Sequence, residues 1–229
     1  MNVQRMRTGR RTVLAALTMA AGLAWTGGAR ADSYTDWFRA IPLDHAQVVR
    51  NLLARGFDPN TIEPARGETA MIIAMREGAM DVFRLLLDAS DIDIHARAFN
   101  GDTALMMASF KGNLAAAQLL IERGARVHHS GWTPLHYAAT GGHNDVARLL
   151  LDNGAELDAR SPNNTTPLMM AAWRGHILTV KLLHDAGADA TLKNDQGMTA
   201  IDFARVADQK DIVEGLTWRL QRGSERPAR

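Results

Sequence analysis

"GWTPLHYAATGGHNDVARLLLDNGAELDAR", residues 131–160, carries its punctuation at regular intervals. Thr133-Pro134 opens it, Gly141-Gly142-His143 divides it, and Asn153-Gly154-Ala155 closes it. A threonine ahead of proline reads as a helix cap, because its oxygen accepts from N–H groups that the first turn leaves unpaired. Proline at the first helical position loses nothing, since the N–H it lacks would have no partner there. The glycines end a short helix. A second helix follows, with Val146, Leu149 and Leu150 at helical spacing. Gly154 ends it, being tolerant of a left-handed conformation. The stretch therefore predicts two short helices joined by a glycine turn.

The pattern recurs. TPLHYAA (133–139) has counterparts at TAMIIAM (69–75), TALMMAS (103–109), TPLMMAA (166–172) and TAIDFAR (199–205). Their first threonines stand 34, 30, 33 and 33 residues apart, a period that signals stacked repeats. DVFRLLLDAS (81–90), LAAAQLLIERGA (114–125) and LTVKLLHDAGA (178–188) repeat the second half. One helix pair is too small to bury its apolar stripe, and stacked neighbours bury it jointly. Leu105, Met106, Leu135, Leu168, Met169, Ile201 and Phe203 are the expected continuous core.

On these residues the chain resembles the ankyrin-repeat family, over roughly residues 40 to 220. The sketch G-x-T-P-L-H-x-A-A-x-x-G-H-x-x-V-x-x-L-L-x-x-G-A is met almost in full by 131–155. The resemblance, which extends to exported (periplasmic) bacterial members, implies an all-α solenoid of helix-turn-helix units with short β-turn fingers. The expected boundaries are a divergent capping repeat at 32–66, repeats at 67–100, 101–130, 131–163 and 164–196, a capping repeat at 197–222 and a disordered tail at 223–229. Between Gly124-Ala125 and Gly131-Trp132 about three residues fewer remain than elsewhere, so the finger there is clipped and leaves a notch.

Residues 1–31 are of another kind. Arg5, Arg7, Arg10 and Arg11 precede the apolar run VLAALTMAAGLAW (13–25), and Ala29-Arg30-Ala31 offers small residues for cleavage. That is the layout of a secretory signal peptide. An uncleaved anchor is the alternative, and export through the general or the twin-arginine route is equally open. The whole chain has a formal net charge of +1. Removing residues 1–31 takes five arginines and no acid, leaving 21 basic against 25 acidic residues. No bulk positive field then remains to attract nucleic acid. With no cysteine, stability must come from packing.

Catalytic signatures are missing from the sequence: no H-E-x-x-H, no phosphate loop and no G-x-S-x-G. The carboxylates are dispersed over solvent faces, so no enzyme and no cofactor are expected. His136, His143 and His176 fall on positions that are hydrogen-bonding scaffold in the family. The resemblance implies that a protein partner is gripped by finger tips and by the end of each first helix. By position, that face comprises Arg76, Glu77, Phe110, Lys111, Trp132, Thr140, Trp173 and Arg174. Aromatics beside arginine are what binding hot spots favour. The expectation is a monomeric, non-catalytic interaction module of the bacterial cell envelope, exported to the periplasm, that serves as scaffold, inhibitor or protective subunit. The alternatives are a secreted effector that binds a host protein, or a small-ligand or metal site in the His128-His129 notch.

Overall fold

The computed structural model describes residues 26–224, and among these it contains twelve α-helices. Five threonine-headed helices come first in their pairs: α3 (Ala70–Glu77), α5 (Ala104–Lys111), α7 (Pro134–Gly141), α9 (Pro167–Trp173) and α11 (Ala200–Val206). Each is followed by its partner: α4 (Met80–Leu87), α6 (Leu114–Glu122), α8 (Asn144–Asp152), α10 (Ile177–Asp185) and α12 (Lys210–Ser224). Ahead of them lie α1 (Thr26–Ala40) and α2 (Ala46–Ala54). The first helices pack side by side in the order α3, α5, α7, α9, α11. Behind them, α2 packs on α4, and α6, α8, α10 and α12 form a second row. The chain is thus a stack of helix pairs, with one isolated antiparallel bridge, Ile62 to Thr69, in the first finger.

Helix starts use the threonines in two ways. Thr103, Thr166 and Thr199 accept from the N–H of Met106, Met169 and Asp202 at 3.3, 3.4 and 3.3 Å. Thr133 differs from the simple cap: its hydroxyl lies 2.9 Å from His136 Nδ1, and its N–H donates to the same nitrogen at 3.2 Å. Asp44 holds the neighbouring unit instead of its own. It sits at φ 54°, and its carboxylate accepts from the N–H groups of Asp81 and Val82, capping α4.

The glycine turns serve stacking as well as chain reversal. Gly112 and Gly142 have φ of 66° and 73°, where a side chain strains the backbone. A Cβ on Gly112 would also lie 2.3 Å from the His143 ring, and one on Gly142 2.6 Å from the His176 ring. Each histidine therefore lies across the glycine of the preceding unit, which explains why the Gly-His pair recurs.

The expected core is buried, Leu105, Met106, Leu135, Leu168, Met169 and Ile201 included, whereas Phe203 is only half-buried. Trp37 and Phe83 are the bulkiest fully buried side chains, and Trp37 anchors α1 with its ring 4.7 Å from that of Phe57. One boundary changes. Helix α12 runs through Gly223 to Ser224, so those residues are helix where a tail was expected; 225–229 lie outside the described residues. Residues 1–25 of the export segment also lie outside them, and α1 continues unbroken through Ala31, the expected cleavage position.

Candidate functional site

The C-terminal ends of the first helices are tied together by histidine. His143 Nε2 donates to the Phe110 carbonyl at 2.9 Å, and His176 Nε2 donates to the Thr140 carbonyl at 2.9 Å. Both carbonyls belong to the residue seven places after the capping threonine. Trp173 stands at the same offset from Thr166, so Phe110, Thr140 and Trp173 occupy equivalent points on three successive helices. Phe110 keeps 40% and Trp173 44% of its surface exposed. The Phe110 ring meets Tyr137 edge-on at 6.3 Å, and the Arg174 guanidinium lies 5.7 Å from the Trp173 ring. Lys111 and Arg174 are exposed beside them.

The other expected binding residues are engaged in different ways. Arg76 bonds Glu68 at 2.9 Å and also pairs with Glu77, so that end of the row is electrically closed. The Thr140 hydroxyl donates to the His136 carbonyl at 2.7 Å. Trp132 is half-buried, with its ring edge-on to His136 at 5.2 Å. Phe110, Lys111, Trp173 and Arg174 are therefore the four whose side chains face solvent most freely.

Leu43, Leu114, Ile177 and Leu178 are exposed apolar residues that sequence reasoning missed. Of the eleven large apolar side chains exposed among the described residues, seven lie at or beside a turn from first to second helix: Leu43, Phe110, Leu114, Trp173, Ile177, Leu178 and Val206. Leu178 and Val206 are 66% and 73% exposed. Ile177 and Leu178 open α10 at positions where α8 has Asn144 and Asp145 and α12 has Lys210 and Asp211. That contrast was the available signal. The apolar exposure extends from the Trp173 position around the turn edge of the fourth unit. Such a concentration, rimmed by Arg174 and Lys210, is what interaction surfaces display.

Titratable groups on this wall are structural. His136 is buried and donates from Nε2 to the Thr165 carbonyl at 2.9 Å. Burial lowers its pKa to about 4, against the weaker opposing pull of its backbone bonds. The Tyr137 hydroxyl donates to Asp102, and burial followed by that carboxylate pushes its pKa up. At the notch, burial leads the causes that lower His129, and Arg97 donates to its ring at 2.9 Å. Among the described residues no three His, Cys, Asp or Glu side chains converge on a metal position. No described helix is long and apolar enough to cross a membrane.

A profile of the family described as "Ankyrin repeats (3 copies)" matches residues 37–130, 90–161, 127–194 and 157–223. The chain belongs to the ankyrin-repeat family. Similar proteins include the protein phosphatase 1 regulatory subunit 27 of Mus musculus, 35% identical over 37% of this chain and 57% of its own length. The B-cell lymphoma 3 protein homolog of Mus musculus is 30% identical over 78% of this chain and 41% of its own length. The human SH3 and multiple ankyrin repeat domains protein 1 is 35% identical over 54% of this chain and 6% of its own. The chain thus spans less than two thirds of each of these relatives. All three are mammalian, so they give no support to the narrower likeness to exported bacterial members. Ankyrin repeats imply interaction with a protein partner, and the ankyrin-repeat solenoid is all-α as expected.

Proposed function

We propose that this chain is a non-catalytic binding module of the bacterial cell envelope that grips a protein partner on its first-helix wall. It acts there as a scaffold, inhibitor or protective subunit for another exported protein. The observation that carries the reading is the exposure of Phe110 and Trp173 at one register point, seven residues after the capping threonine of their helices. Truncating such aromatics removes contact area that a partner's pocket would desolvate, and hot spots of this kind cost about 2 kcal/mol or more. The compartment rests on the sequence of residues 1–31, with its arginines ahead of an apolar run.

The test has two arms. The chain is expressed in its own host, and cells are fractionated; recovery in the periplasm supports the compartment, and retention in the cytoplasm removes it. Affinity capture from the envelope fraction is then compared between the native chain and the Phe110→Ala/Trp173→Ala variant. A partner held by the first and lost by the second, with helicity and melting unchanged, supports the face. Equal capture by both, or unfolding of the variant, removes it.

A further inference from the structure

The clipped finger leaves a cavity that the binding face does not use. It has a volume of about 40 Å³ and lies between the second and third fingers. His95 and Arg97 line it from the second finger, Arg126 and His129 from the third, with Thr103 and the apolar Leu105 below. At roughly 10–15 Å³ of such space per water, it holds about three waters or one small oxyanion.

Its lining carries four basic side chains and no acid. Arg76, Arg84, Arg123, Arg148, Arg205 and Arg219 each pair with a carboxylate. Among the described residues Arg97 and Arg126 form no ion pair, as is also true of Arg50, Arg66 and Arg160. Arg97 instead donates from Nε to the Gly101 carbonyl at 3.0 Å and from Nη2 to the His129 ring at 2.9 Å. RAFN (97–100) and RVHHS (126–130) contain no acid, although the second finger carries Asp91, Asp93 and Asp102 on either side of the first. The nearest carboxylates are engaged: Asp93 accepts from the His95 N–H, and Asp102 accepts from Tyr137 and Asn100.

One atom records the imbalance. His129 Nδ1 lies 2.9 Å from Arg97 Nη2 and 3.0 Å from the Ser130 carbonyl. A guanidinium can only donate and a carbonyl can only accept. The first contact needs a lone pair on Nδ1 and the second needs a proton there; when Nδ1–H donates to Ser130, Arg97 Nη2 is left with the Nε2 lone pair at the longer 3.4 Å. Burial and the positive charges of Arg97, His128 and Arg126 hold His129 below its ordinary range, while the Ser130 bond pulls the other way. An anion between the fingers would take the Arg97 donors, cancel the field and favour the form in which Nδ1–H donates to Ser130. A metal cation would meet two guanidinium groups.

We propose that this notch binds a tetrahedral oxyanion, phosphate or sulfate, through Arg97, Arg126, His95 and His129. Donors on opposite walls suit an anion whose oxygens point to both. A flat carboxylate presents its two oxygens in one direction. Guanidinium groups supply paired, charge-assisted donors for such oxygens. The site stands apart from Phe110 and Trp173, so it does not depend on the partner-binding reading.

The experiment titrates the full chain calorimetrically with inorganic phosphate, sulfate, acetate and zinc at pH 6 and constant low chloride, and follows the histidine ring resonances by NMR. Saturable one-to-one binding of phosphate or sulfate is expected, with the His129 titration moving upward as the anion binds. Arg97→Gln or Arg126→Gln should weaken binding at least tenfold. Arg126 makes no hydrogen bond that holds the fold, so its variant reports on the site even if Arg97→Gln perturbs the finger. A response that is linear in anion and equal in both variants would overturn the proposal. So would acetate matching phosphate, zinc binding more tightly than phosphate, or a His129 resonance that the anion leaves unmoved.

Discussion

Acid should destabilise this protein through one buried side chain, His136. Its ring is fixed as the neutral Nε2–H tautomer, because Nδ1 receives the Thr133 N–H and Nε2 donates to the Thr165 carbonyl. Protonation adds a charge inside the stack and removes the acceptor, so burial holds the folded pKa at about 4 against 6.5 for the free side chain. The folded pKa is the lower one, so the unfolded chain takes up the proton first. Stability is complete above pH 6.5 and falls as pH drops through the window toward 4. A tenfold difference in proton affinity between the two states corresponds to about 1.4 kcal/mol, and integration from pH 7 to pH 5 gives a loss of about 2 kcal/mol. Burial also leads the causes that lower His129 and His184, which adds to the loss in the same direction. Asp185, Asp189 and Asp202 are held low by their hydrogen bonds and lose stability only in stronger acid. The assay is urea unfolding at pH 7 and pH 5 for the native chain and His136→Gln, whose amide offers a donor and an acceptor but does not titrate. The variant should be less stable at pH 7, with its pH-dependent loss reduced by about 2 kcal/mol. An unchanged loss in the variant, or a His136 resonance that titrates near 6.5, would refute the reasoning.

Backbone geometry and packing yield three stability predictions. Gly142→Ala combines a positive φ with a Cβ 2.6 Å from the His176 ring. It should cost about 2 kcal/mol or more, against about 1 for Gly154→Ala, where nothing lies within 4 Å; thermal melting of both variants checks the difference. Asp44→Ala removes the acceptor for the Asp81 and Val82 N–H groups and should cost about 1–2 kcal/mol. Asp44→Asn, which tolerates the same left-handed backbone, should recover much of it in urea titrations. Gly215→Ala lies inside α12 with open space around its Cβ, so it should stabilise by about 0.5–1 kcal/mol, seen as a raised urea midpoint.

The register of this molecule is legible because every unit meets the same local problem. A capping oxygen, a left-handed glycine and an apolar stripe are demanded by the helix pair itself, so Thr103, Thr166, Gly112 and Gly142 announce their roles in one dimension. The period also fixes offsets, which is why the sequence alone puts Phe110 and Trp173 on one wall. An offset does not fix depth. Trp132, expected on the binding face, and Phe203, expected in the core, are both half-buried, and the ring of Trp132 rests against His136 of its own unit.

The least legible features are those that arise between units, and they are also the ones with chemical consequence. Asp44 caps a helix 37 residues away, and Arg97 reaches a histidine 32 residues away. Neither pairing has a motif, since each depends on how far one finger or turn extends past the next. Shortening a finger illustrates the point. The missing residues at 126–130 can be counted in the sequence, and the count points to a notch with His128-His129 as its ligands. Counting does not supply the neighbour that the gap exposes. Removing about three residues from one finger brings Arg97 of the preceding finger against His129, and the presence of that guanidinium turns a place suited to cations into one suited to anions. In a stacked array, then, the chemistry of an irregular unit belongs to the unit before it as much as to itself, and the residues to alter first are those on the intact side of the gap.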